Sequence, residues 1–444
     1  MSILLLLLSV VIIILLTARY KVHPFLALLA AALSFALLSG MPLMTIVSSI
    51  NDGFGITLGK IGLVIILGVI IGAFLENTGA AFKLAELILK VIGQKRIHAA
   101  MGIIGYIVSI PVFADSGFII LNPLNKSLSK KAGVSVAGTG VALMLGLLLT
   151  HVMIPPTPGP IAAAGILNAD VGLVMLLGLL VSIPSLIIAI IYAKKIADKT
   201  YIDPNPDFTE EEIEEKTKNA PSAFKSVLPI LIPILLIIGK SLINFYYPEE
   251  NTLPTWAQLL NFIGSPVIAL IIGLLLAFLL PKKWDQDILS TSGWVGKALI
   301  DAALILLVTG AGGIFGTILQ NSGIADTMAG LLSGANLGIW LPFLLAAAIK
   351  TAQGSSTVAL ITTASIVAPL MGTLGFDTEL QKALFVTAIG AGSIVVPHAN
   401  DSSFWVFTQL TGMDIKTGYR IYTLGALVVG TFAGLMVFIA SFFI

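Results

Sequence analysis

Apolar runs long enough to cross a lipid bilayer recur along the whole chain, and that recurrence decides its solvent. They lie near residues 2–17, 24–40, 60–76, 98–113, 137–155, 172–193, 226–247, 259–281, 298–318, 336–350, 380–397 and 421–443. Each approaches the roughly 20 residues that a spanning helix needs. Backbone in hydrocarbon must satisfy its own hydrogen bonds, and such runs do so as helices. The pattern predicts an all-α polytopic membrane protein of about 12 spans. Only 11% of the residues are charged and the mean hydropathy is +1.03, whereas soluble domains carry about 25% charge. The lipid bilayer is therefore a partner, while a net charge of +1 gives no reason to expect nucleic acid. With no cysteine in the chain, disulfides, thiolate nucleophiles and thiolate-bound metals are excluded.

Loop charges orient the segments. The opening run "MSILLLLLSVVIIILLTARYK" lacks a basic leader and a small-residue cleavage site, so it reads as a retained span. Arg19 and Lys21 follow it and place its end in the cytoplasm. The mixed-charge stretch 194–225 carries Lys194, Lys195, Lys199, Lys216, Lys218 and Lys225 and reads as a cytoplasmic linker. The loop 248–256 has no Lys or Arg and reads as external, and Lys282 and Lys283 return the chain inside.

The two sides of that linker resemble each other. "GAFLENTGAAFKLAELI" from Gly72 matches "GTILQNSGIADTMAGLL" from Gly316, pairing Asn77 with Asn321 and Gly79 with Gly323. Ser116 and Ser355, then His151 and His398, follow in the same order at nearly the same offset. By the loop charges the copies enter the membrane from opposite sides. Inverted-topology repeats are an architecture of secondary transporters. The expected organisation is N-terminal extra spans over 1–41, a first transport repeat over 42–193, the linker 194–225, connecting spans over 226–281 and a second repeat over 282–444.

Polar clusters interrupt the apolar runs at "VFADSGF" (112–118), "QGSST" (353–357) and "VVPHANDSSFWVF" (395–407). Irregular backbone at membrane depth is tolerated only against protein or a water-filled cavity. A carboxylate there costs about 2.5–3.5 kcal/mol on the insertion scale, so Asp115 and Asp401 need a reason to exist. They are either helix caps or titratable groups of a transport site. Gly354, Ser355, Ser356 and Thr357 precede a helical run, where free N–H groups suit an anion; a Ser/Thr-rich helix contact is the other reading. Lys350, one turn earlier, would add anion attraction or snorkel to the interface. Four prolines in residues 155–160 break the helix after His151 at the place where the second copy has its 395–401 break. His151 and His398 suit proton relay or are satisfied by backbone carbonyls. Neither has a second histidine at ligand spacing, so no metal site is expected. The run Asp115-Ser116-Gly117-Phe118 is also like Asp401-Ser402-Ser403-Phe404, out of register with the repeat.

Together "GFGITLGKIGLVIILGVIIGAFLENTGAA", "VFADSGFIILNPL", "LLLTHVMIPPTPGPIAAA", "AGGIFGTILQNSGIA", "AQGSSTVALITTASIVAPL" and "HANDSSFWVF" resemble the gluconate:proton symporter (gluconate permease) family, of the ion transporter superfamily. The likeness runs from about Ser48 to the end. It implies a prokaryotic inner-membrane permease importing gluconate or a related hydroxy acid with protons. It also implies a re-entrant hairpin in each repeat, with the ADSG and QGSST segments as tips around the substrate. Asp115, Ser116, Gly117, Gly354, Ser355, Ser356, Thr357, Asn400 and Ser402 are then the expected substrate-binding residues. Asp115, Asp401, His151 and His398 are the expected proton-coupling groups. Pro397 departs from the small residue, such as Ser, expected there.

Other classes fit less well. A zinc protease needs a His-Glu-x-x-His helix and a rhomboid-like protease a Gly-x-Ser-Gly loop; the chain has neither. A passive channel needs no aspartates on a hairpin, and a sodium/proton antiporter needs no hydroxyl-rich tip. The sequence thus predicts a secondary transporter, not an enzyme, with no cofactor. Its partners are a small carboxylate and protons, and a homo-oligomer is compatible with this. Permeases of the same family for D-serine, glycerate or hydroxybutyrate, or a sodium-coupled carboxylate transporter, remain the alternatives.

Overall fold

The structure, a computed structural model, describes residues 2–204, 220–247, 254–323, 338–372 and 374–444. Among these residues the chain forms helices and turns, with no strand. The first half contains α1 (Ser2–Ile14), α2 (Pro24–Leu38), α3 (Leu43–Asn77), α4 (Ala80–Ile92), α5 (Ile97–Val108), α6 (Ala114–Ala132), α7 (Val136–Met153), α8 (Pro158–Leu167) and α9 (Val171–Lys195). After the linker come α10 (Ala223–Tyr246), α11 (Thr255–Ile263), α12 (Pro266–Ala277) and α13 (Trp294–Asn321). The chain closes with α14 (Trp340–Gln353), α15 (Ser356–Val367), α16 (Glu379–Gly392), α17 (Ser402–Thr411) and α18 (Leu424–Ala440).

The order of elements repeats. A long helix, a helical hairpin, a broken helix pair and a closing helix occur as α3, α5–α6, α7–α8 and α9, then as α13, α14–α15, α16–α17 and α18. The ends of α3 and α13 show why the matched sequences are alike. Gly79 and Gly323 take left-handed conformations at φ +74° and +70°, which favour glycine. Just before them, Thr78 and Ser322 return their hydroxyls to the carbonyls of Phe74 and Leu319, both at 2.7 Å. The counterpart of α4, over 324–337, and much of the loops 194–225 and 248–256 lie outside the described residues.

Among the described residues, six helices are long and apolar enough to cross a membrane, seven if the bent pair α11–α12 is one span. Several of the expected apolar runs fall below that length as single helices. The 12 residues of α5 cover about 18 Å at 1.5 Å per residue, well short of the ~30 Å hydrocarbon core. Broken and hairpin helices each read as a span in the sequence without being one alone. The proline-rich stretch departs similarly: the break covers only 154–157, because α8 starts at Pro158, where a missing N–H is harmless.

α7 is the centre of the molecule. All 18 of its residues are buried, as expected of a helix apolar all round. Glycine lets it come that close: a Cβ on Gly146 would lie 2.2 Å from the carbonyl oxygen of Gly102 in α5. Such small-residue contacts bring helices together where lipid supplies no hydrophobic drive.

Candidate functional site

Three helices begin at one cavity of about 410 Å³. The starts of α6 (Phe113–Ser116), α15 (Gly354–Val358) and α17 (Asp401–Ser403) line it, with Leu148 and His151 of α7 and Asp301, Leu304, Ile305 and Val308 of α13. Each helix start brings unpaired N–H groups and the positive end of a dipole. The volume falls in the roughly 300–1,000 Å³ range of small-molecule sites. Walls come from both sides of the linker.

The local sequence explains the openings. Ser109 donates to the carbonyl of Val112 at 2.9 Å and folds the tip between α5 and α6. Gly354 ends α14 at φ +94° with its Cα hard against the carbonyl of Asn400; a Cβ there would sit 2.2 Å from that oxygen. Ser355 then caps α15, its hydroxyl accepting from the N–H of Val358 at 3.3 Å. Asp401 does the same for α17, accepting from the N–H of Ser403 at 2.8 Å.

The charges divide into paired and unpaired. The carboxylate of Asp115 accepts from the hydroxyls of Ser402 (2.6 Å) and Ser403 (2.5 Å), so the two look-alike runs of the sequence meet. Asp401 is ion-paired with Lys350, whose ammonium also donates to the carbonyl of Gly354 at 2.6 Å. Asp301 has no hydrogen-bond or ion-pair partner among the described residues, and the same holds for the hydroxyls of Ser116 and Thr357. Of the three carboxylates that line the cavity, Asp401 is paired with Lys350 behind it, and Asp115 and Asp301 have no cationic partner among the described residues.

Of the expected residues, Asp115, Ser116, His151, Gly354, Ser355, Ser356, Thr357, Asp401 and Ser402 line the cavity. Lys350, Gly117, His398 and Asn400 do not, and each has a physical reason. The ammonium of Lys350 is occupied by Asp401 and Gly354, so it holds the loop rather than facing an incoming anion. Gly117 faces Leu147, which its Cβ would meet at 2.6 Å. His398 meets the carbonyl of Thr351 at 2.6 Å, and Asn400 donates to the carbonyls of Thr351 and Ala352, both at 3.0 Å. Ser356 also makes a helix contact, donating to the carbonyl of Ser393 at 3.0 Å. Sequence reasoning missed Ser403 and Asp301. Asp301 left a signal, a lone carboxylate inside a 28-residue helix of otherwise membrane-spanning character. No group of three or more metal-ligating side chains occurs among the described residues.

An all-helical membrane protein whose broken helices open onto a small-molecule cavity is, as a class, a transporter. The chain belongs to the GntP permease family, whose sequence profile matches residues 1–443. It is 38% identical to an uncharacterized permease of Haemophilus influenzae, over 96% of this chain and 89% of the relative. It is 34% identical to a gluconate permease of Pseudomonas aeruginosa, over 92% and 90%. Two solved transporters share the fold at 15% identity. They are MtrF of Neisseria gonorrhoeae (TM-score 0.67, covering 96% of this chain and 95% of that one) and YdaH of Alcanivorax borkumensis (TM-score 0.68, 95% and 98%).

Proposed function

We propose that the protein imports a small hydroxylated carboxylate, gluconate or a related sugar acid, together with protons across the prokaryotic inner membrane. The observation that carries this is the charge excess in the cavity. An anionic substrate meets three helix N-termini that attract it and two uncompensated carboxylates, Asp115 and Asp301, that repel it. A proton on Asp115 removes much of the repulsion and frees the hydroxyls of Ser402 and Ser403 for the incoming carboxylate. Substrate and proton then bind together or not at all, which is the condition for symport. The N–H groups at the starts of α6 and α15 take the carboxylate, while Ser116, Ser355 and Thr357 take hydroxyls. The membrane potential favours the same stoichiometry, because moving one uncompensated negative charge inward costs about 2.3 kcal/mol per 100 mV. Relatives named as gluconate permeases support the substrate class.

Uptake into proteoliposomes tests this, with labelled gluconate, D-glycerate, D-serine and 3-hydroxybutyrate as the panel. Uptake of at least one should rise as external pH falls, stop with a protonophore and persist with choline in place of sodium. A sodium requirement with no protonophore effect would overturn proton coupling and leave the anion site standing.

A further inference from the structure

One face of α6 carries polar side chains far beyond the cavity. Asp115, Asn122, Asn125 and Ser129 follow at steps of seven, three and four, which keeps them on one side of a helix. Asn122 is 1% exposed and Asn125 and Ser129 0%. α17 runs beside this face in the same direction, since Asp115 meets Ser402 and Ser403, Phe118 stacks 5.5 Å from Phe407, and Asn122 donates to the carbonyl of Leu410 at 3.0 Å. The seam is therefore layered: a carboxylate at the cavity, a pair of aromatic rings, then two amides.

Protein satisfies the amide layer only in part. The oxygen of Asn122 and both polar atoms of the Asn125 side chain have no protein partner among the described residues. Buried polar groups in native interiors are nearly always satisfied, by protein or by internal water. Gly140 of α7 packs closely against this layer, its Cβ position lying 3.2 Å from the Thr411 methyl, 3.4 Å from the Phe407 ring and 3.5 Å from the Asn125 nitrogen. Beyond the amides, Ser129 donates to the carbonyl of Asn125 at 2.7 Å and shares a 2.6 Å hydrogen bond with Thr139. Nearer the linker, Thr139 reaches the backbone carbonyl of Ser135 at 3.4 Å, and the Ser135 hydroxyl donates to the carbonyl of Thr200 at 2.8 Å.

We propose that Asn122 and Asn125 hold an internal water cluster that passes the transported proton from Asp115 toward the linker side. This rests on the proton-symport reading. The O–H bond of protonated Asp115 breaks as an O–H bond forms on water, and each relay oxygen gives up one proton as it gains another. The Phe118 and Phe407 rings stand between Asp115 and Asn122 and interrupt the line in this conformation. Tyr422, whose hydroxyl has no protein partner, packs its ring 4.7 Å from Phe407. The charged and titratable groups around the two ends include Asp301, His151, Asp401 and Lys350 at the cavity, Lys126, Lys130 and Lys131 toward the far end of α6, and His98 with Asp198, 3.2 Å apart, near the linker.

The test begins with wild-type proteoliposomes and the substrate identified by the uptake panel. A wild type indifferent to a protonophore removes both readings; a proton-driven one leaves the seam to be tested alone. Asn125→Leu, nearly the same size but apolar, should then lower net proton-driven uptake about tenfold, while exchange of labelled for unlabelled substrate at equal pH stays within about twofold. Asn125→Ser, smaller but able to keep water, should retain more net uptake than Leu. A packing role predicts the reverse order, and that order would overturn the proposal. A separate arm needs no substrate and does not depend on the Asn125 variants inserting. Phe118→Ala vesicles loaded with a pH dye should leak protons several-fold faster than wild type, and an unchanged leak would equally overturn the proposal.

Discussion

Lys350 is 1% exposed and Asp401 4%, so their ion pair lies in the interior. A buried pair contributes little net stability over apolar residues of the same shape, yet losing one partner leaves a bare charge and costs about 3–5 kcal/mol. Asp401→Ala should therefore lower thermal stability in detergent by that order, and Lys350→Met added to Asp401→Leu should restore most of it. Recovery of the melting temperature by the double substitution is the measurement. If the single variant melts like wild type, the pair has no structural role. Asp115 differs, being half-buried and held only by hydroxyls. Asp115→Asn should insert and melt normally but lose proton-driven uptake by more than about tenfold, since a neutral amide cannot carry the proton.

The breaks between helices rest on single residues. Gly354 combines a left-handed φ of +94° with a 2.2 Å approach to Asn400, so Gly354→Ala meets strain and collision together. It should cost about 1–3 kcal/mol for the backbone alone and displace the 395–401 loop, seen as lower stability and lost uptake. Glycine and hydroxyl signals of this kind were legible in the sequence: Gly79 and Gly323 end long helices, Ser116 and Ser355 lie at helix starts, and the helix breaks after His151. Partners across the repeats were not legible. The contacts of Asp115 with Ser402 and Ser403, and of Lys350 with Asp401, join residues from separate elements that come together only when the helices pack, and no spacing encodes that. Lys350 shows the same limit: the sequence places it one turn before the QGSST stretch but does not place it beside Asp401, its ion-pair partner.

At the scale of the whole molecule, the cavity takes its walls from both sides of the linker, so neither half encloses it alone. The predicted topology places the linker inside and 248–256 outside, which the cysteine-free chain makes simple to measure. A cysteine at exposed Thr255 should react with an impermeant thiol reagent in intact cells, and one at exposed Tyr201 should not. The opposite pattern would overturn the inverted repeat. The full burial of α7 has a further consequence. Lipid never touches that helix, so its substitutions are judged only by protein neighbours on every side. A saturation scan should give α7 a flat profile of intolerance with no 3.6-residue rhythm, whereas α10, only 39% buried over its apolar window, should alternate between tolerant and intolerant positions once per turn.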